Sequence, residues 1–155
     1  MKMLRSCLVL VLLLGASYAV WAQADPVKEV RDILAKRGQA FAKGDADAFT
    51  ADLADNVVFT SALAGFRMEG KQAVRAYFTQ LFENYPTRQT YTRQPLYRVF
   101  QNGTVVMYNY YQDQRWGDRA GYTNTAMVRQ SQTWVKADGR WQLVEWHLSK
   151  MPGTQ

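Results

Sequence analysis

Beyond Pro86 the chain consists of four stretches in which aromatic and β-branched residues alternate with polar ones: RQTYTRQPLYRVF, TVVMYNYYQDQRW, TAMVRQSQTWVKA and RWQLVEWHLSK. Asn102-Gly103, a glycine-containing loop over 117–121 and Asp138-Gly139 separate them. Tight hairpin turns need positive φ at their central residues, which Asn-Gly and Asp-Gly adopt at little cost. Period-two stretches joined by such turns predict a meander of four long antiparallel strands.

The residues before Pro86 read mainly as helices. PVKEVRDILAKRGQAFAKGD places Val27, Val30, Ile33, Leu34, Arg37 and Phe41 at three- and four-residue steps, the spacing of one helical face, and Gly44 ends it. Asp45 can cap a second short helix, ADAFTADL, with Phe49 and Leu53 on one face. NVVFTS reads as a short strand and ALAGFRMEG as a turn with a hairpin arm. KQAVRAYFTQLFENY returns to helical period through Val74, Tyr77, Phe78, Leu81 and Phe82 and stops before Pro86. Helices first and a meander last make an α+β domain. With 48% of residues apolar, one domain over residues 25–155 has enough material for a sizeable core.

Lys2 and Arg5 precede the apolar run CLVLVLLLGASYAVWA, and Ala22-Gln23-Ala24 supplies the small residues that a signal peptidase accepts. Residues 1–24 are therefore expected to be a signal peptide, with Asp25 the first mature residue and a periplasmic or secreted destination. The run falls short of the roughly 20 apolar residues of a spanning helix, so no stable membrane anchor is expected after cleavage. Cleavage removes the only cysteine, Cys7, and two of the 19 basic residues, leaving 17 against 13 acidic ones. The remaining basic residues are scattered rather than clustered with aromatics, which argues against a nucleic-acid partner. One histidine and no mature cysteine do not make a usual transition-metal cluster, and there is no glycine-rich phosphate loop or nucleophile elbow, so no metal or cofactor is expected. Asn102-Gly103-Thr104 matches a glycosylation sequon, but the hairpin turn accounts for it without sugar.

The order helix, short helix, short strand pair, long helix and meander resembles the nuclear transport factor 2-like superfamily, which includes the SnoaL-like proteins. The most specific segment is SQTWVKADGRWQLVEWHLSKMP, similar to the end of the calcium/calmodulin-dependent protein kinase II association domain. The pattern D-G-x-W-x-x-V-x-x-H-x-S-x-x-P is met by Asp138, Gly139, Trp141, Val144, His147, Ser149 and Pro152, with Glu145 where many relatives carry a second histidine. The resemblance implies a cystatin-like cone, in which a strongly bent antiparallel sheet wraps the N-terminal helices and leaves a cavity at its open end. It also implies homodimers packed through the outer sheet faces. It does not specify a reaction.

If alternation runs unbroken along the last strand, Trp141, Leu143, Glu145, His147 and Ser149 share one face, and Val144, Trp146 and Leu148 the other. The first set is then the cavity wall and the second a homodimer face; a bulge would instead bring Trp146 into the core. Glu145 beside His147 is a candidate acid–base pair, because a carboxylate orients an imidazole and favours its charged form. The alternative is that both hydrogen-bond neighbouring strands. Tyr77, Tyr108, Tyr110, Tyr111 and Arg129 are candidate ligand-binding donors, with Arg67 and Ser149 as further polar contacts. The expected function is an exported pocket protein that binds, or transforms by cofactor-free isomerase-, cyclase- or dehydratase-like acid–base chemistry, a compact apolar ligand with a polar group. The alternative is a non-enzymatic association module like the kinase domain.

Overall fold

A computed structural model describes residues 25–152; the expected signal peptide lies outside the described residues. Helix α1 spans Pro26–Lys43. The Asp25 carboxylate caps it by accepting hydrogen bonds from the backbone N–H of Val27 (2.9 Å) and Lys28 (3.3 Å). Gly44 closes it at φ +74°, where its N–H reaches the Phe41 carbonyl. The positive φ favours glycine here, and a Cβ at Gly44 would also lie 2.6 Å from the end of the Arg88 side chain, which would have to shift. Helix α2 is only Ala46–Phe49, shorter than the spacing suggested, because Leu53 already opens strand β1 (Leu53–Ser61). A two-residue strand β2 (Met68–Glu69) precedes helix α3 (Lys71–Asn84). The meander follows as β3 (Thr87–Phe100), β4 (Val105–Gly117), β5 (Thr123–Ala137) and β6 (Arg140–Lys150).

The six strands form one sheet in the order β2-β1-β6-β5-β4-β3. All neighbours are antiparallel except β1 and β6, which run parallel because the first long strand closes on the last across the whole meander. Asp138 (φ +51°) and Gly139 (φ +74°) make the two-residue turn their identities predict. The β3–β4 connection is longer: Gln101, Asn102 and Gly103 all have positive φ and form a 3₁₀ turn between the paired Phe100 and Val105.

Strand β6 departs from simple alternation. Its pairing with β5 shifts register between Thr133↔Glu145 and Trp134↔Leu143, leaving Val144 as an extra residue. A bulge of this kind rotates the strand by one position. Trp141 and Leu143 face the core before it, and Trp146 (6% exposed) and Leu148 (4%) face the core after it. Two expectations are thereby corrected. Trp146 and Leu148 cannot form a homodimer face with Val144, and Glu145, His147 and Ser149 lie on the outer surface of the sheet.

Trp146 becomes the centre of an aromatic cluster between helices and sheet. Its ring lies parallel to Phe78 at 5.5 Å, 4.4 Å from Phe59 and 5.9 Å from Phe49, measured between centroids. Trp141 fastens the sheet to α1 instead: its indole N–H donates to the Glu29 carboxylate, which also accepts from Lys136 at 2.7 Å. These donors, Lys136 first and Trp141 second, hold the Glu29 carboxyl below its ordinary pKa. Arg88, at the start of β3, donates to the carbonyls of Phe41 (3.0 Å) and Ala42 at the end of α1 and to those of Phe82 (3.1 Å) and Tyr85 at the end of α3. One guanidinium thus satisfies carbonyls that both helices leave free.

Candidate ligand-binding cavity

Helices α1 and α3 span the concave face of the sheet and enclose a cavity of about 160 Å³. Phe41, Phe49, Phe59, Phe78 and Trp146 give it an aromatic wall. Many of its polar groups come from three rows, with Tyr77 on α3, Ser61 on β1 and Thr90 and Thr92 on β3 adding further hydroxyls. On β4 the row runs Tyr108, Tyr110, Gln112, Gln114 and Trp116; on β5 it includes Gln130 and Gln132. On α1, Arg37 occupies the apolar stripe one turn before Phe41.

Arg37 is 3% exposed. Its guanidinium carbon lies 4.6 Å from the ring centre of Phe49, 5.4 Å from Trp146 and 5.6 Å from Trp134. Burial pulls its pKa down to about 10, so it remains a cation at neutral pH despite the desolvation. Among the described residues its Nη1 has no hydrogen-bond partner. Two further buried polar atoms of the lining are also unpartnered, Gln114 Oε1 and Trp116 Nε1. Buried polar groups left this way are uncommon, and all three belong to residues that line one cavity, which makes it the candidate place for a ligand or ordered water to complete the set.

The other amides are joined in a chain. Trp134 Nε1 donates to Gln132 Oε1 (3.0 Å), Gln132 Nε2 to the Tyr110 hydroxyl (3.0 Å), and that hydroxyl to Gln130 Oε1 (2.8 Å). Gln130 Oε1 also accepts from Trp146 Nε1 (2.7 Å). Gln130 Nε2 donates to Gln112 Oε1 (2.7 Å), which accepts from Gln114 Nε2 as well (2.8 Å). Tyr97, Tyr108 and Tyr110 stack with centroids 4.5 and 4.3 Å apart. Burial, first among the causes, pushes the Tyr108 and Tyr110 hydroxyls well above the ordinary tyrosine pKa and keeps them protonated.

Of the residues singled out from sequence, the cavity brings together Tyr77, Tyr108 and Tyr110. Burial raises the Tyr77 pKa, so this hydroxyl too stays a neutral donor. The other predicted residues are elsewhere. Arg67 is exposed and paired with Glu69 at 2.6 Å. Tyr111, Arg129, His147 and Ser149 line a shallow groove on the outer face of the sheet, where Arg129 Nε donates to Ser149 Oγ at 3.0 Å. Glu145 is exposed on the same outer face, opposite Thr133. The acid–base pair is therefore not in the cavity, because the bulge at Val144 turns its strand over. Arg37, the four glutamines and Trp116 are among the cavity residues sequence reasoning did not assign. The signal for Arg37 is a charge inside an apolar helical stripe; for the glutamines it is Gln-x-Gln-x-Trp, which occurs both at 112–116 and at 130–134.

The family model of the SnoaL-like domain matches residues 30–153. The chain belongs to the SnoaL-like family, and its α+β architecture is the fold of nuclear transport factor 2-like and cystatin-like structures. It is similar to a nuclear transport factor 2-like superfamily protein of Salmonella enterica serovar Typhimurium, with 18% identity over 84% of this chain and 94% of that one and a TM-score of 0.71. A protein of Xanthomonas campestris, provisionally named a calcium/calmodulin-dependent protein kinase II association domain, is similar at 17% identity, over 81% of this chain and 88% of that one, with a TM-score of 0.72. A cystatin-like protein of Caulobacter vibrioides shares 11% identity over 83% of this chain and 91% of that one at a TM-score of 0.71. No curated protein matches the sequence significantly.

Proposed function

We propose that this protein binds a compact aromatic ligand bearing an anionic group, held in the interior cavity with the anion on Arg37. The observation that carries this reading is the buried guanidinium with an unpartnered Nη1 inside an aromatic enclosure. A desolvated guanidinium favours carboxylate-like partners, which it can engage through two parallel hydrogen bonds. A cavity near 150 Å³ accepts a benzene ring, and this one has about 160 Å³, so a single-ring ligand is the right size. Among the described residues no carboxylate or imidazole lines the cavity, and its tyrosines are held protonated, which favours binding over proton abstraction by a side chain. The association-module reading has lost its proposed contact residues, since Trp146 and Leu148 are core.

Calorimetric titration with benzoate tests the assignment. Wild type should bind benzoate, and Arg37→Met should weaken binding by about 30-fold or more, as expected when one member of a buried charge pair is removed. Equal affinity of both proteins for benzoate would remove Arg37 from the site.

The reading includes export, with Asp25 as the first mature residue. It is supported by the charged and apolar pattern of residues 1–24 and by Asp25 being the cap of α1, so that cleavage before it leaves the cap intact. N-terminal sequencing of protein recovered outside the cytoplasm should begin Asp-Pro-Val; a sequence beginning at Met1 would refute cleavage.

A further inference from the structure

The amide chain in the cavity has a direction, and the two tryptophans that start it set that direction. An indole N–H can only donate. Trp134 therefore fixes the atom it meets on Gln132 as the carbonyl oxygen, so the other end of Gln132 is its NH₂ group, donating to the Tyr110 hydroxyl. Trp146 fixes the atom it meets on Gln130 as oxygen too, so Tyr110 must send its own proton there. The Gln130 NH₂ then faces Gln112, whose contacting atom has to be oxygen, and the atom Gln114 presents to that same oxygen has to be nitrogen. Every step follows from the one before it. The chain ends on Gln114 Oε1, an acceptor with no donor, and turning that amide over would set two oxygens against each other at Gln112.

Trp116, the next inner residue of β4, supplies the opposite need. Its Nε1 is a donor with no acceptor. The two residues are neighbours on the inner face of β4, two positions apart, and both line the cavity.

We propose that the ligand is an aromatic acid carrying a ring hydroxyl, whose O–H donates to Gln114 Oε1 and whose oxygen accepts from Trp116 Nε1, while the acid group occupies Arg37. This rests on the reading of the cavity as an anion-binding pocket and adds the group that the ligand carries at its other end. A hydroxyl meets both unpartnered atoms, whereas an ether oxygen can only accept and a ring C–H leaves both unpaired. Leaving a buried donor and acceptor unpaired is what makes such a site reject the analogue that lacks the group.

The test is a calorimetric comparison of benzoate, its three monohydroxy isomers and the matching methoxybenzoates on wild type, Arg37→Met and Gln114→Leu. At least one hydroxybenzoate should bind wild type about tenfold or more tightly than benzoate, and its methoxy counterpart should lose that gain. In Gln114→Leu the preference should shrink to about twofold or less while benzoate is still bound. The methoxy comparison needs no variant, so it decides the matter even where Gln114→Leu does not fold. Arg37-dependent benzoate binding with no hydroxyl preference, or a preference that survives in Gln114→Leu, overturns the hydroxyl assignment and leaves the anion site standing. Failure of every aromatic acid to bind wild type overturns both.

Discussion

Trp146→Ala is expected to remove about 3–5 kcal/mol of stability, while His147→Ala, one residue along, changes it by no more than about 0.5 kcal/mol. The contrast follows from the bulge at Val144, which puts the indole among Phe49, Phe59 and Phe78 and leaves the imidazole on the outer face. Truncation loses the buried ring, its stacking, and the indole N–H that satisfies Gln130 Oε1, so packing and hydrogen-bond losses act together. Urea unfolding of the two variants reads the difference directly. Equal midpoints for Trp146→Ala and wild type, or a large loss in His147→Ala, would mean that β6 presents its other face to the core.

Arg37→Met is expected to act in the opposite direction, raising stability by about 1–3 kcal/mol. In the unliganded protein, attraction to the aromatic rings and to the Asp52 carboxylate competes with desolvation. The aromatic rings of Phe49, Trp134 and Trp146 attract the cation, by about 2 kcal/mol when such a contact is desolvated. Against this stands the cost of taking a guanidinium out of water, several kcal/mol in a folded protein, with one nitrogen left unpartnered. Methionine fills similar space and carries no such cost. The desolvation term is the larger, so wild type holds its charge at the expense of stability, as binding sites commonly do. Thermal unfolding of the ligand-free proteins is the measurement. A lower Tm for Arg37→Met would show that the arginine is a structural tie rather than a group kept for a ligand.

The elements of this fold are legible in the sequence wherever their cause is local. The stripe through Val30, Leu34 and Phe41, the stop at Gly44 and the Asp138-Gly139 turn each follow from a few neighbouring residues, and the structure contains all of them. The parallel pairing of β1 with β6 joins segments far apart in the chain, and no local pattern announces it. The bulge is harder still to read. GRWQLVEWHLSK alternates acceptably in either phase, and only pairing with β5 decides which phase holds after Leu143. The error this produced on Glu145 and His147 is therefore one of register rather than of chemistry. For the site, Tyr77, Tyr108 and Tyr110 are legible as candidate donors, though only the structure shows that they and not Tyr111 line the cavity. Arg37 was visible only as an irregularity in an apolar stripe, and its meaning depends on burial, which spacing alone does not give.

Val144 has a consequence for how this stretch can change over generations. As the extra residue of the bulge, it can be replaced by other side chains that tolerate a partly buried edge of the strand. It cannot be dropped. Deleting it would carry Glu145 and His147 inward and Trp146 and Leu148 outward in one step, exchanging interior for exterior along the rest of β6. A lineage that keeps this fold is thus free to vary the letters of its last strand but is bound to conserve their number, and histories of insertion or deletion belong in the loops on either side.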